Sequence, residues 1–120
     1  MGNKKKCEDA IKRDYATQAF RLYAEHGADI DTDDFLHWLD CQAVSMTISL
    51  LHSEGRDSVV DALQAVYFAE PKKSTNKRDI DSRVYRFCSD HYVGRTTVYR
   101  WLSYARGVFL AIRFHTPNIP

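Results

Sequence analysis

Apolar residues recur at helical spacing along almost the whole chain. From about Glu8 to His26, the positions Ile11, Tyr15, Ala19, Leu22 and Tyr23 return three or four apart, with Lys12, Arg13, Gln18 and Arg21 between them. That is the pattern of an amphipathic helix. Gly27 is placed to end it, and the acidic stretch from Asp29 to Asp34 offers cap oxygens and negative charge to the start of a second helix, expected from about Asp33 to Ser53. Two stripes run along that segment, Phe35, Leu39, Ala43, Met46, Leu50 and Leu36, Ile48, Leu51, so it should touch neighbours on more than one side and stand centrally. Gly55 closes it. Asp57 or Ser58 can cap a third helix with Val59, Val60, Leu63, Val66, Tyr67 and Phe68 on its apolar face, which Pro71 forbids from continuing.

The segment from Pro71 to Arg78 is polar and basic and reads as a surface connector. Beyond it come a short stripe, Ile80, Val84, Phe87, Cys88 and His91, and a longer one, Val98, Leu102, Ala105, Phe109 and Ile112, that stops before Pro117. Nothing alternates with period two over a useful length. The expected class is therefore all-α, a compact domain of about five helices.

Charge divides the chain. Residues 1–70 hold 7 Lys/Arg against 13 Asp/Glu, and residues 71–120 hold 10 against 3, giving formal charges of −6 and +7. This suggests an acidic interaction or dimerisation part over 1–70 and a basic, nucleic-acid-facing part over 71–120, either as two parts or as one continuous domain. Cys7, Cys41 and Cys88 are odd in number and lack metal-ligand spacing, which implies reduced structural thiols. No window approaches the length of a membrane span and no apolar run follows the basic N-terminus, so a cytoplasmic protein without membrane partners is expected.

Tyr92, Val93 and Gly94 join the last two stripes, the spacing that a helix-turn-helix requires. Cys88 supplies a small residue where the second helix crosses the first, and Val93, Val98, Trp101 and Leu102 would close a small core. The outward face near the start of the second helix then carries Arg95, Thr96, Tyr99, Arg100 and Ser103, side chains able to read base edges or hold phosphates. Lys72, Lys73, Lys77 and Arg78 would add phosphate contacts.

These residues also carry a resemblance. Asp61 to Phe68, Val84 to Cys88, and Arg95-Thr96-Thr97-Val98-Tyr99-Arg100-Trp101-Leu102 followed by Ala105-Arg106 resemble sigma factor region four. They are equally similar to the small phage late-gene activators of the ArpU and RinA kind. The resemblance covers about residues 60–113. It implies a promoter-binding helix-turn-helix with Arg95, Thr96, Thr97, Tyr99 and Arg100 at contact positions, duplex DNA as ligand, RNA polymerase as a partner and a phage or mobile-element setting. A homodimer is expected because such proteins commonly pair two half-sites. Two departures stand out: Tyr92 where many such motifs carry Gly, and His91 at an inward position usually filled by an aliphatic residue.

Other chemistry finds little footing. Asp29, Asp31 and Asp33 with Asp40 have the spacing of a calcium loop, but Asp34 stands where its Gly belongs, and helix capping explains the run. His37 and Cys41 lie one turn apart without further ligands. No phosphate loop, nucleophile elbow or paired acids are present, so neither an enzyme, a metal nor a cofactor is expected. The competing functions are a helical protein-interaction adaptor and an RNA-binding or antitermination factor.

Overall fold

The computed structural model describes residues 2–69 and 76–114, and these form five α-helices with no strand. They are α1 (Gly2–His26), α2 (Phe35–Ser53), α3 (Asp57–Leu63), which runs on into a π-helical turn (Gln64–Phe68), α4 (Lys77–His91) and α5 (Arg95–Phe114). The all-α expectation holds, and most boundaries follow local chemistry. Asp34 caps α2, its carboxylate accepting from the amides of Leu36 at 2.9 Å and His37 at 3.3 Å. Gly27 and Gly55 follow α1 and α2 at φ +70° and +72°, a conformation that glycine enters without steric cost.

Some expectations are corrected. α1 begins at Gly2 rather than near Glu8, since no breaker interrupts it and adding a residue to an existing helix is nearly neutral. Asp57 does not cap α3; its carboxylate lies 2.6 Å from the His52 ring, and Arg56 occupies the cap position without a side-chain bond. α4 already starts at Lys77, inside the expected connector, because Asn76 accepts from the Asp79 amide at 2.9 Å.

Helix phase differs more. On α1 the buried residues are Ala16, Thr17, Ala19 and Phe20, while Ile11 is exposed. On α2 the buried stripe is Asp40, Cys41, Ala43, Val44, Thr47 and Leu51, whereas Phe35, Leu36, Met46 and Leu50 face solvent. Both sequences hold more apolar residues than one face needs, so periodicity alone left two possible phases.

One cluster of buried side chains draws on all five helices. Phe20 sits at its centre with its ring 5.4 Å from Tyr67, 6.0 Å from Phe68 and 5.6 Å from Phe109. Edge-on and tilted contacts of this kind add to the apolar area that aromatic side chains bury. The π turn, closed by the Ala69 amide on the Gln64 carbonyl at 2.7 Å, turns Val66 and Tyr67 together into this cluster. The Val66 carbonyl accepts from the Arg83 guanidinium at 2.8 Å, which fastens the turn to α4.

A polar tie closes the other side. Asp40, only 7% exposed, accepts from the Tyr15 hydroxyl and from Arg113 Nε, each at 2.6 Å, so one carboxylate oxygen joins α1, α2 and α5. Removing one partner of a buried pair strands the other charge. Asp40→Ala is expected to lower stability by about 3–5 kcal/mol in urea denaturation. The double substitution Asp40→Ala/Arg113→Met should lose less, because it leaves no uncompensated charge.

Candidate nucleic-acid interface

α5 contains no carboxylate and four arginines. Two are committed inside the fold: Arg113 to Asp40, and Arg106, whose Nη1 donates to the Tyr67 hydroxyl at 3.3 Å. The other two, Arg95 and Arg100, are exposed in the first two turns, with Thr96 and Ser103 exposed beside them. Val98, Leu102, Ala105 and Phe109 bury the opposite stripe, which turns Thr96, Arg100 and Ser103 outward; Arg95 is exposed because it is the first residue of the helix. The helix begins at Gly94, whose carbonyl accepts the Val98 amide at 3.2 Å. The positive end of the helix dipole therefore lies beside the two exposed arginines.

Not every residue expected on that face is there. Tyr99 is half-buried, and its hydroxyl donates to Asp81 on α4. The expectation of an outward Tyr99 is corrected: the carboxylate four residues into α4 draws the phenol back against that helix. Thr97 is half-buried on the other flank. Lys77 and Arg78 are exposed in the first turn of α4, and Lys72 and Lys73 lie outside the described residues.

Lys77 and Tyr99 also line a cleft of about 630 Å³ between α1, the π turn, α4 and α5. Arg13, Asp14, Asp81 and Arg106 line it too. Its charges are of mixed sign, and four of its polar groups already satisfy each other, Tyr99 with Asp81 and Arg106 with Tyr67. Arg13 was not singled out in the sequence, because it belongs to the acidic half and only the packing of α1 brings it to α4.

The connection between α4 and α5 is under backbone constraint. Tyr92 takes the left-handed conformation at φ 56°, ψ 45°, ends α4 by donating its amide to the Cys88 carbonyl, and leaves its side chain 97% exposed. A non-glycine residue pays about 1 kcal/mol or more there, and this ring buries almost nothing in return. Cys88 and Val93 are half-buried and pack against the core cluster to which Val84, Phe87, Val98 and Leu102 belong. His91 is exposed rather than inward, its ring stacked on Phe87 at 4.1 Å, so it covers the edge of the core.

Among the described residues no group of three or more His, Cys, Asp or Glu lies together as a metal site would require. Asp40, the residue spaced to close a calcium loop, is taken up by Tyr15 and Arg113. Among the described residues no helix is long and apolar enough to cross a membrane. No family model matches the chain, and neither a curated protein nor a solved structure is similar to it.

Two outcomes follow from this geometry. Tyr92→Gly is expected to raise unfolding stability by about 0.5–1 kcal/mol, as relief of left-handed strain outweighs the added freedom of the unfolded chain; a lowered thermal midpoint would contradict it. Burial and the bond to Asp81 push the Tyr99 hydroxyl from 10.0 up to about 12. The folded state thus holds this proton more tightly than the unfolded chain. Its contribution is intact below pH 10 and is lost as pH rises through about 12. Tyr99→Phe should flatten the fall of stability with pH across that window, measured by urea midpoints at successive pH values.

Proposed function

We propose that the chain is a sequence-specific, duplex-DNA-binding transcription regulator that uses α4, the Tyr92–Gly94 connection and α5 as a helix-turn-helix. The observation that carries this reading is the carboxylate-free, exposed start of α5, where Arg95, Thr96, Arg100 and Ser103 stand together at the positive end of the helix. Arg95 and Arg100 can each donate two hydrogen bonds to a guanine edge, and Thr96 offers a hydroxyl and a methyl to a neighbouring pair. Lys77 and Arg78, with Lys72 and Lys73 preceding them, hold phosphates and set orientation without reading sequence. Tyr99 supports this arrangement by fastening α5 to α4, and Thr97 lies at the edge of the face.

A cytoplasmic regulator of a phage or other mobile element, working beside RNA polymerase and as a pair of chains, is the setting in which such a module acts. The resemblance of residues 60–113 to sigma region four and to the ArpU and RinA activators supports it.

The test is a titration of the chain against random-sequence duplex at several salt concentrations. Neutralising about four phosphates gives a slope of log affinity on log salt near −3.6. Lys77→Ala should make that slope shallower by about 1. Once an operator has been selected, Arg95→Ala or Arg100→Ala should each cost about 1–3 kcal/mol on it and relax preference at one base pair. A flat salt response, with binding that resists competitor DNA, would assign the basic face to an acidic protein partner instead.

A further inference from the structure

Of the ten large hydrophobic residues exposed among the described residues, five lie on α2: Phe35, Leu36, Trp38, Met46 and Leu50. α2 carries one carboxylate, and that carboxylate, Asp40, is buried. Its solvent face is therefore apolar and without acid or base along most of its length, apart from the rings of His37 and His52 at its two ends. Phe35 and Trp38 stack on each other at 5.8 Å and leave their outer surfaces uncovered. Single exposed apolar residues are ordinary, but five on one helix face, grouped toward its two ends, mark an interface.

We infer that this face binds a second copy of the chain, with the two α2 helices packed antiparallel about a twofold axis near Gln42. The area fits. Taking full side-chain areas of about 150–250 Å², these five residues at 42–65% exposure offer on the order of 500 Å². With half-buried Leu39 and the small Ser45 and Ser49 beside them, this approaches the roughly 800 Å² per partner of a stable interface.

Charge selects the direction. Asp29, Asp31, Asp33 and Asp34 are all exposed at the N-terminal end of α2. Parallel packing would set eight carboxylates side by side. Antiparallel packing separates the two groups by about the length of a 19-residue helix, roughly 28 Å, several times the screening length of about 8 Å in physiological salt, and sets each instead near the second copy's Glu54, Arg56 and Asp57, a smaller set of mixed sign. The apolar residues fall at both ends of the face with Gln42 between them. Antiparallel register about Gln42 lays Trp38 on the second copy's Met46, and Phe35 against its Ser49 and Leu50. Small serines near the crossing let the two backbones approach. A twofold interface must be complementary to itself, and this arrangement is.

This assignment goes beyond the DNA-binding reading and is tested without DNA. Sedimentation of the full chain at micromolar concentration is expected to give twice the chain mass. Met46→Glu, at an exposed position that should not disturb folding, is expected to give the single mass with an unchanged helical circular dichroism spectrum. In a Cys7→Ser/Cys88→Ser background, Gln42→Cys should form an intermolecular disulfide under mild oxidation, while Ser53→Cys should not. A monomeric parent chain, a dimer that survives Met46→Glu, or equal cross-linking at both positions would each overturn the inference. Loss of duplex binding with the dimer intact would count against the DNA reading alone.

Discussion

The buried stripe on α5 is the constraint from which the other features follow. Val98, Leu102, Ala105 and Phe109 are all solvent-excluded, and α5 packs against α1, α2, α3 and α4. The same helix therefore serves as the spine of the core and as the support of the exposed basic face. With its inner stripe fixed, α5 cannot rotate, and Arg95, Thr96, Arg100 and Ser103 are held at one orientation. The acidic half is thus not a separate appendage in the packing: Phe20 of α1 and Leu51 of α2 share one cluster with the residues that orient the basic face.

Arginine placement shows how the fold divides its cations. At the C-terminal end of α5, Arg113 meets a buried carboxylate, and about two helix turns earlier Arg106 meets a phenol. A desolvated cation without such a partner would cost several kcal/mol. Arg83 on α4 is likewise directed inward, onto the carbonyl of Val66 in the π turn. Lys77, Arg78, Arg95 and Arg100 are left to solvent toward the starts of α4 and α5, where the helix dipoles reinforce them, while Arg86 is exposed farther along α4. The formal charge of +7 over residues 71–120 is therefore partly drawn into the fold and partly gathered at these two helix starts.

The two surfaces left open by this packing differ in kind. The start of α5 is polar and cationic, suited to a ligand that brings negative charge and hydrogen-bond acceptors. The outer face of α2 is apolar and almost uncharged, suited to another apolar helix. A protein that reads paired half-sites needs one surface of each sort.

Much of this was legible in the chain. Helical period, the two glycine stops, the Asp34 cap and the three-residue connection before Arg95 are local features, set by short-range sterics and hydrogen bonding, and they determined the helices and the charge division. The exposure of Thr96, Arg100 and Ser103 was also readable, because Val98 and Leu102 allow α5 only one inward phase, and that of Arg95 because it opens the helix. What only the tertiary structure decided is the phase of helices with surplus apolar residues and the partners of polar ones. Met46 faces out and Val44 in on α2, Phe20 rather than Ile11 enters the core, Tyr99 turns to Asp81, and Asp40 joins Tyr15 and Arg113 across 25 and 73 residues of chain. Each of those choices depends on which distant helix arrives alongside, and that is a property of packing rather than of local spacing.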